Sequence, residues 1–363
     1  MRILKVISAL TTGGAEKLLI ESVPLYQKAK VNVDVLVLQN AKTLFRKQLE
    51  SQTNGKIIGL TSKSIYNPVL IFKIIPYFKN YDVIHVHLFP ALYWVVLAKC
   101  ISFAKVPIIY TEHSTNNKRK NYFFFRLLDR LIYSRLNYIG CISDGVFLEL
   151  NKYLKNISKK SIIYNGLDIK NFNNIKIDKK KYNFFSEKDI KLIQVSSFRK
   201  PKDQETVINA LLYLPTNIKL LLVGDGPLRK EREIQVEKLN LIDRVIFFGN
   251  RYDVPEMIMA SDIVVLSSNY EGFGLAILEG MAASKPVIAS NVVGLKGIVE
   301  NHGLLFDNKN SRDLANKIKM LSSNKSLYNE IALKCYQKAL EFDINNMVKE
   351  YIKLYEKVLE ENS

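Results

Sequence analysis

The sequence is poor in cysteine, and its three cysteines (Cys100, Cys141 and Cys335) form no CxxC pair. This scarcity excludes a disulfide framework, argues against a zinc site, and favours a reducing cytoplasm. Ten prolines and 16 glycines in 363 residues leave little room for disorder. The longest apolar region, residues 88–110, is interrupted by Lys99, so we expect no membrane-spanning helix. The first ten residues lack a cleavage site and predict a strand more than a signal peptide.

Two ligand-binding motifs are also missing. No aspartates are spaced as DxD, so the sequence predicts no carboxylate pair for a metal-bound sugar nucleotide. The loop TTGGAE, residues 11–16, is not GxGxxG, and nicotinamide binding is weakly supported. Its double glycine permits close approach of a ligand to the backbone near Gly14, although a tight turn between strand and helix would also explain it.

Acidic residues are scarce in the first half of the chain. The net charge is +18, and residues 1–172 carry 25 Lys and Arg residues against 10 Asp and Glu residues. The densest segment, residues 116–136, interleaves basic residues with Phe123, Phe124 and Phe125. Such segments are attracted to anionic membrane surfaces. We predict a membrane surface as partner and location at the inner face of the cell membrane, while an amphipathic helix with buried aromatics stays an alternative. No nucleic-acid-binding signature is present, so nucleic acid is not expected as a partner.

Short apolar, β-branched runs alternate with helical patterns in two series, which predicts an α/β protein with two doubly wound, Rossmann-like domains facing a cleft. We predict an N-terminal domain over residues 1–172, a second over 173–344, and a C-terminal helix within 345–363. A lysine-rich interval, residues 170–189, is the expected linker. The predicted strands are residues 3–7, 33–37, 57–60, 83–86, 108–111, 138–142, 191–195, 218–223, 245–248, 263–266 and 287–289.

The segment EGFGLAILE, residues 271–279, follows an apolar run and places Glu271 in a loop and Glu279 in a helix. The free amides around Phe273, Gly274 and Leu275 open that helix and favour an anion. The segment therefore predicts a pyrophosphate at the helix start with carboxylates nearby for sugar hydroxyls. A solvated helix with surface glutamates is an equally good interpretation of this segment alone.

Two further loops follow strands of the second series. Arg199, Lys200 and Lys202 cluster in SSFRKPKDQET and suit a diphosphate, or else form an exposed basic loop. The loop VGDGP contains Gly224, which suits a tight turn beside a flat ligand. In the first half, His113 follows a strand, and His85 and His87 share one side of another. A structural role is favoured for His85, and an acceptor-side role stays open for His87.

These motifs, taken in order, resemble the retaining glycosyltransferases of family four, which have the GT-B fold. The resemblance covers nearly the whole chain. One position departs from the family pattern, because Ser197 stands where the family usually has arginine, and Arg199 is the nearest substitute. The motifs in question are GGAE, TEHS, NGLDIKNF, the basic loop through Lys202, VGDGP, FFGNRYDV and SSNYEGFGLAILEGMAASKPVIAS.

The resemblance implies transfer of a sugar from a nucleotide-sugar to a hydroxyl acceptor with retained anomeric configuration and no metal or other cofactor. Glu279 would bind the ribose, and Glu271 with the amides of residues 273–275 would hold the donor sugar. Arg199 and Lys202 would stabilise the diphosphate.

Gly14 and His113, from the first domain, would contact the diphosphate and the donor sugar. The C-terminal helix, residues 345–363, would pack back on the N-terminal domain. We expect the acceptor to be a lipid-linked glycan of bacterial surface-polysaccharide biosynthesis. Two alternatives remain open at this stage: a GT-B-type sugar-nucleotide epimerase, and a non-catalytic basic protein that binds membranes.

Overall fold

A computed structural model describes residues 1–11, 13–115, 122–154, 157–178 and 180–362. Within these ranges the chain forms two parallel sheets, of seven and six strands, covered by helices. The predicted α/β class is confirmed. All eleven predicted strands are present, while two three-residue strands at sheet edges were not predicted, Lys160–Ile162 and Leu304–Phe306.

The chain divides into two compact units, and it crosses between them twice. The first unit contains residues 1–166 and 344–363, and the second contains residues 167–343. The first crossing therefore lies a few residues before the expected boundary at residue 172. The interval expected as a linker, residues 170–189, falls inside the second unit and begins with part of a short helix, Ile169–Asn173.

The first unit is built on a seven-stranded sheet in the order β3-β2-β1-β4-β5-β6-β7. Its central strands, β1 and β4, are paired in parallel along their length, with Lys5 opposite His85. The strands are β1 (Arg2–Ile7), β2 (Asn32–Gln39), β3 (Ile57–Thr61), β4 (Val83–His87), β5 (Ile108–Glu112), β6 (Tyr138–Cys141) and β7 (Lys160–Ile162). The helices of its N-terminal part are α1 (Gly14–Lys28), α2 (Leu44–Gln52), α3 (Leu70–Ile74), α4 (Ala91–Ser102), α5 (Phe123–Tyr133) and α6 (Asp144–Tyr153).

The second unit is built on a six-stranded sheet in the order β10-β9-β8-β11-β12-β13. Its strands are β8 (Ile190–Val195), β9 (Ile218–Val223), β10 (Val245–Gly249), β11 (Ile263–Leu266), β12 (Val287–Ser290) and β13 (Leu304–Phe306). Its helices are α7 (Ile169–Asn173), α8 (Gln204–Ala210), α9 (Arg229–Lys238), α10 (Val254–Met259), α11 (Leu275–Ala282), α12 (Val293–Val299), α13 (Ser311–Ser323) and α14 (Lys325–Leu340).

The last helix, α15 (Ile344–Glu360), belongs to the core of the first unit. Its apolar positions recur at helical spacing, which buries one face against α1 and the sheet. Tyr355 is fully buried there, with its ring 6.0 Å from that of Tyr26 on α1. Because α15 contributes to this core, the first unit is assembled from both ends of the chain.

The carboxyl ends of parallel strands carry the loops in which ligands bind in sheets of this kind. In the first unit one of these loops ends at Gly14, the first residue of α1, and another holds His113; in the second unit they hold Lys202, Gly224 and residues 271–274. Among the described helices, none combines the length and the apolar composition that a bilayer crossing needs.

Candidate active site

The centre of the candidate site in the second unit is an ion pair between Lys202 and Glu271. Lys202 precedes α8, and Glu271 lies in the loop between β11 and α11. Both side chains are mostly buried, with exposures of 19% and 17%. The sequence predicted both residues as site residues, and the structure brings their charged groups together.

Backbone hydrogen bonds between the two loops fix this pair. Lys202 and Ser268 form an isolated antiparallel bridge. On either side of it, the Asn269 amide donates to the Pro201 carbonyl at 2.8 Å, and the Asp203 amide donates to the Ser267 carbonyl at 3.0 Å. The loops thus act as one short two-stranded element, so the cation and the carboxylate are held in place before any ligand binds.

Helix α11 begins directly after Glu271, and Gly274 makes its start possible. Gly274 has φ of +89°, and a Cβ atom there would lie 2.4 Å from Cδ2 of Leu295. Its carbonyl accepts the amides of Ile277 and Leu278, which are the first intrahelical bonds. The amides of the residues before Ile277 therefore precede the hydrogen-bonded ladder, as a helix start that binds an anion requires.

Glu279 lies one turn into α11 and is only 4% exposed. A buried carboxylate is costly unless it is hydrogen-bonded or paired, so its burial argues against an ordinary surface glutamate. Phe273, by contrast, turns its ring into the unit, where it packs edge-on against Phe342 with ring centroids 5.4 Å apart. The ring of Phe273 thus belongs to the packing of the unit, and contact of its backbone amide with the donor stays a prediction.

The structure gives Gly224 a packing reason that the sequence did not show. Its φ is +129°, and a Cβ atom would lie 2.2 Å from the Ser196 carbonyl oxygen. The Gly224 amide also donates to the Gly249 carbonyl at 2.7 Å. Close packing of the backbone at the ends of β8, β9 and β10 accounts for this glycine, and a contact with the donor stays a prediction.

Arg199 is exposed on the loop that carries Lys202. Its carbonyl accepts the Lys202 amide at 2.8 Å, which makes it part of the turn that presents the lysine. Ser197 is exposed as well, and its carbonyl accepts a hydrogen bond from the Gln204 side chain at 3.1 Å. Substitution of the family arginine by Arg199 stays a prediction.

In the first unit, three histidines form a chain that ends at His113. Nδ1 of His87 lies 3.2 Å from Nε2 of His113, and the rings of His85 and His87 are 4.3 Å apart. Nδ1 of His85 lies 2.6 Å from the Tyr355 hydroxyl, and its Nε2 lies 2.7 Å from the Thr111 hydroxyl. Both nitrogens of His85 are thus engaged, as its expected structural role requires.

Burial keeps these histidines neutral. It lowers the pKa of His113 to about 3, with a smaller contribution from the charge of Lys5. The pKa values of His85 and His87 are likewise lowered well below their ordinary value, first by burial. Burial also lowers the pKa of Lys5 to about 7; its ammonium lies over the ring of Tyr26 at 4.4 Å.

Gly14, expected in the loop before the first helix, is the first residue of α1, and a carboxylate of the chain itself lies at this helix start. The Glu16 carboxyl folds back so far that a Cβ on Gly13 would lie 2.1 Å from its Oε2 atom. The Thr11 hydroxyl donates to the other oxygen of Glu16 at 3.1 Å. Approach of a diphosphate to Gly14 stays a prediction, as does contact of His113 with the donor sugar.

Sequence reasoning overlooked several of these groups. Lys5 stands out in the printed sequence as one charge inside an apolar strand, which is a signal that could have been used. Glu16 could have been suspected from its place in the first turn of α1. Tyr351 and Tyr355 carry no local signal, because tyrosines at helical spacing suggest only an apolar face. Among the described residues, no group of three or more His, Cys, Asp or Glu side chains is placed to hold a metal ion.

Comparison with known proteins agrees with this architecture. Residues 12–171 match the family model "Glycosyltransferase Family 4", and residues 175–339 match "Glycosyl transferases group 1". An uncharacterised glycosyltransferase of Methanocaldococcus jannaschii is 31% identical over 261 residues, covering 70% of this chain and 69% of the relative. The chain belongs to glycosyltransferase family four.

Two further comparisons bear on this family assignment. N-acetyl-alpha-D-glucosaminyl L-malate synthase of Bacillus anthracis is 28% identical over 295 residues, covering 78% of this chain and 77% of that protein. The crystal structure of Anabaena HepE in complex with UDP-glucose superposes with a TM-score of 0.86 at 25% identity, covering 97% of this chain and 99% of that one. The predicted family and the GT-B type of fold are therefore confirmed.

Proposed function

We propose that this family-four glycosyltransferase moves a sugar from a nucleotide-sugar donor to a hydroxyl of a lipid-linked glycan intermediate in cell-surface polysaccharide biosynthesis, with retention of anomeric configuration. The observation that carries the proposal is the Lys202–Glu271 pair held beside the start of α11, with Glu279 buried one turn further on. The UDP-glucose complex of HepE supports a nucleotide-sugar as the donor class.

In the proposed reaction, the donor diphosphate competes with Glu271 for the ammonium of Lys202. A diphosphate carries more charge than one carboxylate, so it draws Lys202 and releases Glu271 toward the hydroxyls of the donor sugar. The open amides at the start of α11 bind the phosphate oxygens, and Glu279 accepts hydrogen bonds from the ribose hydroxyls.

As the bond between the sugar and the phosphate breaks, negative charge grows on the leaving diphosphate. Lys202 stabilises that charge, which is usually the largest single contribution to such a reaction. The acceptor hydroxyl loses its proton to an oxygen of the leaving phosphate, and its oxygen bonds to the anomeric carbon on the face that the phosphate leaves. We propose that this cation suffices and that the transfer needs no metal ion.

The experiment is donor binding and transfer with a panel of nucleotide-sugars, first by thermal stabilisation and then by product analysis. Glu279→Gln is expected to weaken donor binding about tenfold, since it replaces a charged acceptor of ribose hydroxyls by a neutral one. Lys202→Met is expected to lower turnover at least a hundredfold. Lys296→Met removes an exposed cation from α12 and serves as the matched control.

Several outcomes would contradict the proposal. Unchanged kinetics in both site variants would contradict the assigned roles. Donor isomerised without an acceptor would identify an epimerase instead. Transfer to L-malate but not to a lipid-linked glycan would overturn the acceptor class, and loss of activity in EDTA that Mg²⁺ restores would overturn metal independence. Inversion at the anomeric carbon, followed by NMR of the product, would overturn retention.

We also propose that an anionic membrane surface is a partner, contacted through α5. The inner face of this helix is fixed by Asp129, which is 1% exposed and accepts hydrogen bonds from the hydroxyls of Tyr93 and Tyr153. The Tyr133 hydroxyl at its end donates to Glu112 at 2.5 Å. These tethers set the rotation of α5 about its own axis.

The outer face of α5 is therefore held toward solvent although it is apolar. Phe123, Phe124 and Leu131 are 78%, 71% and 63% exposed, and Arg126 and Arg130 are exposed beside them. Aromatic and aliphatic side chains flanked by arginines suit the boundary between head groups and acyl chains of an anionic bilayer. The basic residues Lys118, Arg119 and Lys120, which the sequence also assigned to this surface, lie outside the described residues.

Sedimentation with vesicles of phosphatidylglycerol and phosphatidylcholine tests this partner. The double variant Phe124→Ser/Leu131→Ser is expected to lower the bound fraction severalfold, because each change removes an apolar anchor. Leu333→Ser removes an equally exposed leucine of the second unit and is the control. Equal binding by all three proteins, or binding that does not depend on the anionic lipid, would contradict the proposal.

A further inference from the structure

His87 and His113 contact each other through one nitrogen of each ring, so each ring has a second nitrogen that takes no part in this contact. Because both imidazoles are neutral, each carries a single N–H, and one of the two facing nitrogens must donate to the other. Either Nδ1–H of His87 donates to Nε2 of His113, or Nε2–H of His113 donates to Nδ1 of His87. The 3.2 Å distance between the nitrogens is compatible with both arrangements.

The second nitrogen of His87 decides between them. Its Nε2 atom is buried and has no hydrogen-bond partner among the described residues. If His113 donated, the proton of His87 would sit on this Nε2 as a buried N–H without an acceptor. If His87 donates, Nε2 is a bare acceptor, and buried acceptors without a partner are less rare than buried donors without one.

We infer that His87 is a positioning residue that holds His113 in the tautomer with its proton on Nδ1. His113 then has its acceptor nitrogen occupied by His87 and offers one N–H donor. A group of this kind can donate a hydrogen bond to an oxygen of a bound sugar, but it has no vacant nitrogen with which to accept a proton. His113 is therefore a hydrogen-bond donor and not a base. This role in catalysis rests on the proposed function, whereas the assignment of the tautomer is independent of it.

The surroundings of His87 keep the arrangement in place. Its ring stacks on that of His85, which is itself fixed at both nitrogens by Tyr355 and Thr111. Tyr351 binds the same Thr111 hydroxyl at 2.8 Å. Burial first, and also the charge of Lys5 on β1, disfavour imidazolium at all three histidines by lowering their pKa values. Both rings are therefore held neutral, as the tautomer argument requires.

The decisive measurement is a long-range ¹H–¹⁵N correlation spectrum of the ¹⁵N-labelled, full-length protein at pH 7, with His113→Gln used to assign the resonances. The expected result is a protonated Nδ1 and a bare Nε2 at His113, together with a protonated Nδ1 at His87. A proton on Nε2 of His113 would overturn the inference without any need for a variant of His87.

Variants then test the positioning role. His87→Leu removes the donor, and His113 is expected to relax to a mixture of tautomers. His87→Asn places an amide N–H near the former Nδ1 position and is expected to restore the Nδ1–H form. Tyr355→Phe perturbs the far end of the chain and is the matched control, expected to leave the tautomer of His113 unchanged. A single unchanged tautomer in His87→Leu would refute the positioning role.

Kinetics add a second readout. His87→Leu is expected to lower kcat roughly fivefold to tenfold, the loss that corresponds to one weakened hydrogen bond, with a smaller change in the KM of the donor. His87→Asn should recover most of the lost turnover. Equal turnover in the wild type, His87→Leu and His87→Asn would refute a role of His87 in catalysis. If His113 has the expected tautomer but the protein transfers no sugar, the tautomer assignment holds and the proposed function is refuted.

Discussion

Lys5 gives the sharpest quantitative prediction, because a charged residue is buried in the central strand of the first unit. It is 2% exposed, and burial lowers its pKa from 10.5 to about 7. The unfolded chain therefore binds a proton at this amine between pH 7 and pH 10.5, where the folded protein largely does not. The free energy of unfolding must rise with pH across that window.

The size of the effect follows from the shift. At pH 7 the lowered pKa destabilises the fold by about 4 kcal/mol, and at pH 10 by about 1 kcal/mol. Lys5→Met keeps an unbranched chain of similar length and removes the titration. We expect its stability advantage over the wild type to shrink by about 3 kcal/mol between pH 7 and pH 10. Loss of the contact between the Lys5 ammonium and Tyr26 offsets part of the advantage at pH 7, by about 1 kcal/mol.

The protein supplies its own probe for this measurement. Its single tryptophan, Trp94 on α4, belongs to the first unit, and the indole N–H donates to the Ile65 carbonyl at 2.8 Å. Urea unfolding followed by tryptophan fluorescence therefore reports this unit separately from the second. Ionisations shared by the two proteins cancel in the difference. A difference between Lys5→Met and wild type that is the same at pH 7 and pH 10 would refute the reasoning.

Three further predictions follow from groups described above. Asp129→Asn should lower the stability of the first unit by about 2 kcal/mol in the same assay, because it weakens two charge-assisted hydrogen bonds. The control Asp144→Asn changes an exposed carboxylate that accepts a hydrogen bond from Tyr164, and it should alter the stability little. Gly274→Ala should destabilise the second unit by about 1–3 kcal/mol and weaken donor binding, as checked by calorimetry, because of its positive φ. The rate of transfer should show no ionisation of His113 between pH 5 and pH 8, since its pKa is about 3; an inflection lost in His113→Gln would contradict this.

Much of the fold was predictable because its inner strands, such as β4, β11 and β12, are buried on both faces and appear as apolar runs. The strands β7 and β13 were not predicted because each has three residues, too few to show a period, and each lies at a sheet edge. The return of α15 to the first unit was expected from the family resemblance, but its contact with α1 was not. The sequence did not show which tyrosines of α15 contact His85, because that depends on the rotation of the helix about its axis.

The candidate site was predictable to a similar degree. Glu271, Glu279 and Lys202 follow strands in loops or helix starts, and these positions are visible in the sequence. The contact of Lys202 with Glu271 joins loops 69 residues apart and depends on backbone bonds that no local pattern indicates. The occupation of the α1 start by Glu16 was missed for a related reason. A glutamate in the first turn of a helix faces either solvent or the helix end, and the sequence does not distinguish the two.

The return of α15 to the first unit has a consequence for biosynthesis. A ribosome must complete residues 167–343 before it makes the segment that carries Tyr351 and Tyr355. Until then the helix that completes the core beside α1 is missing, and the Tyr355 hydroxyl that contacts His85 has not been synthesised. The second unit, continuous in sequence, can finish folding while the first still waits as an open intermediate, the kind of species that exposes apolar surface and engages chaperones.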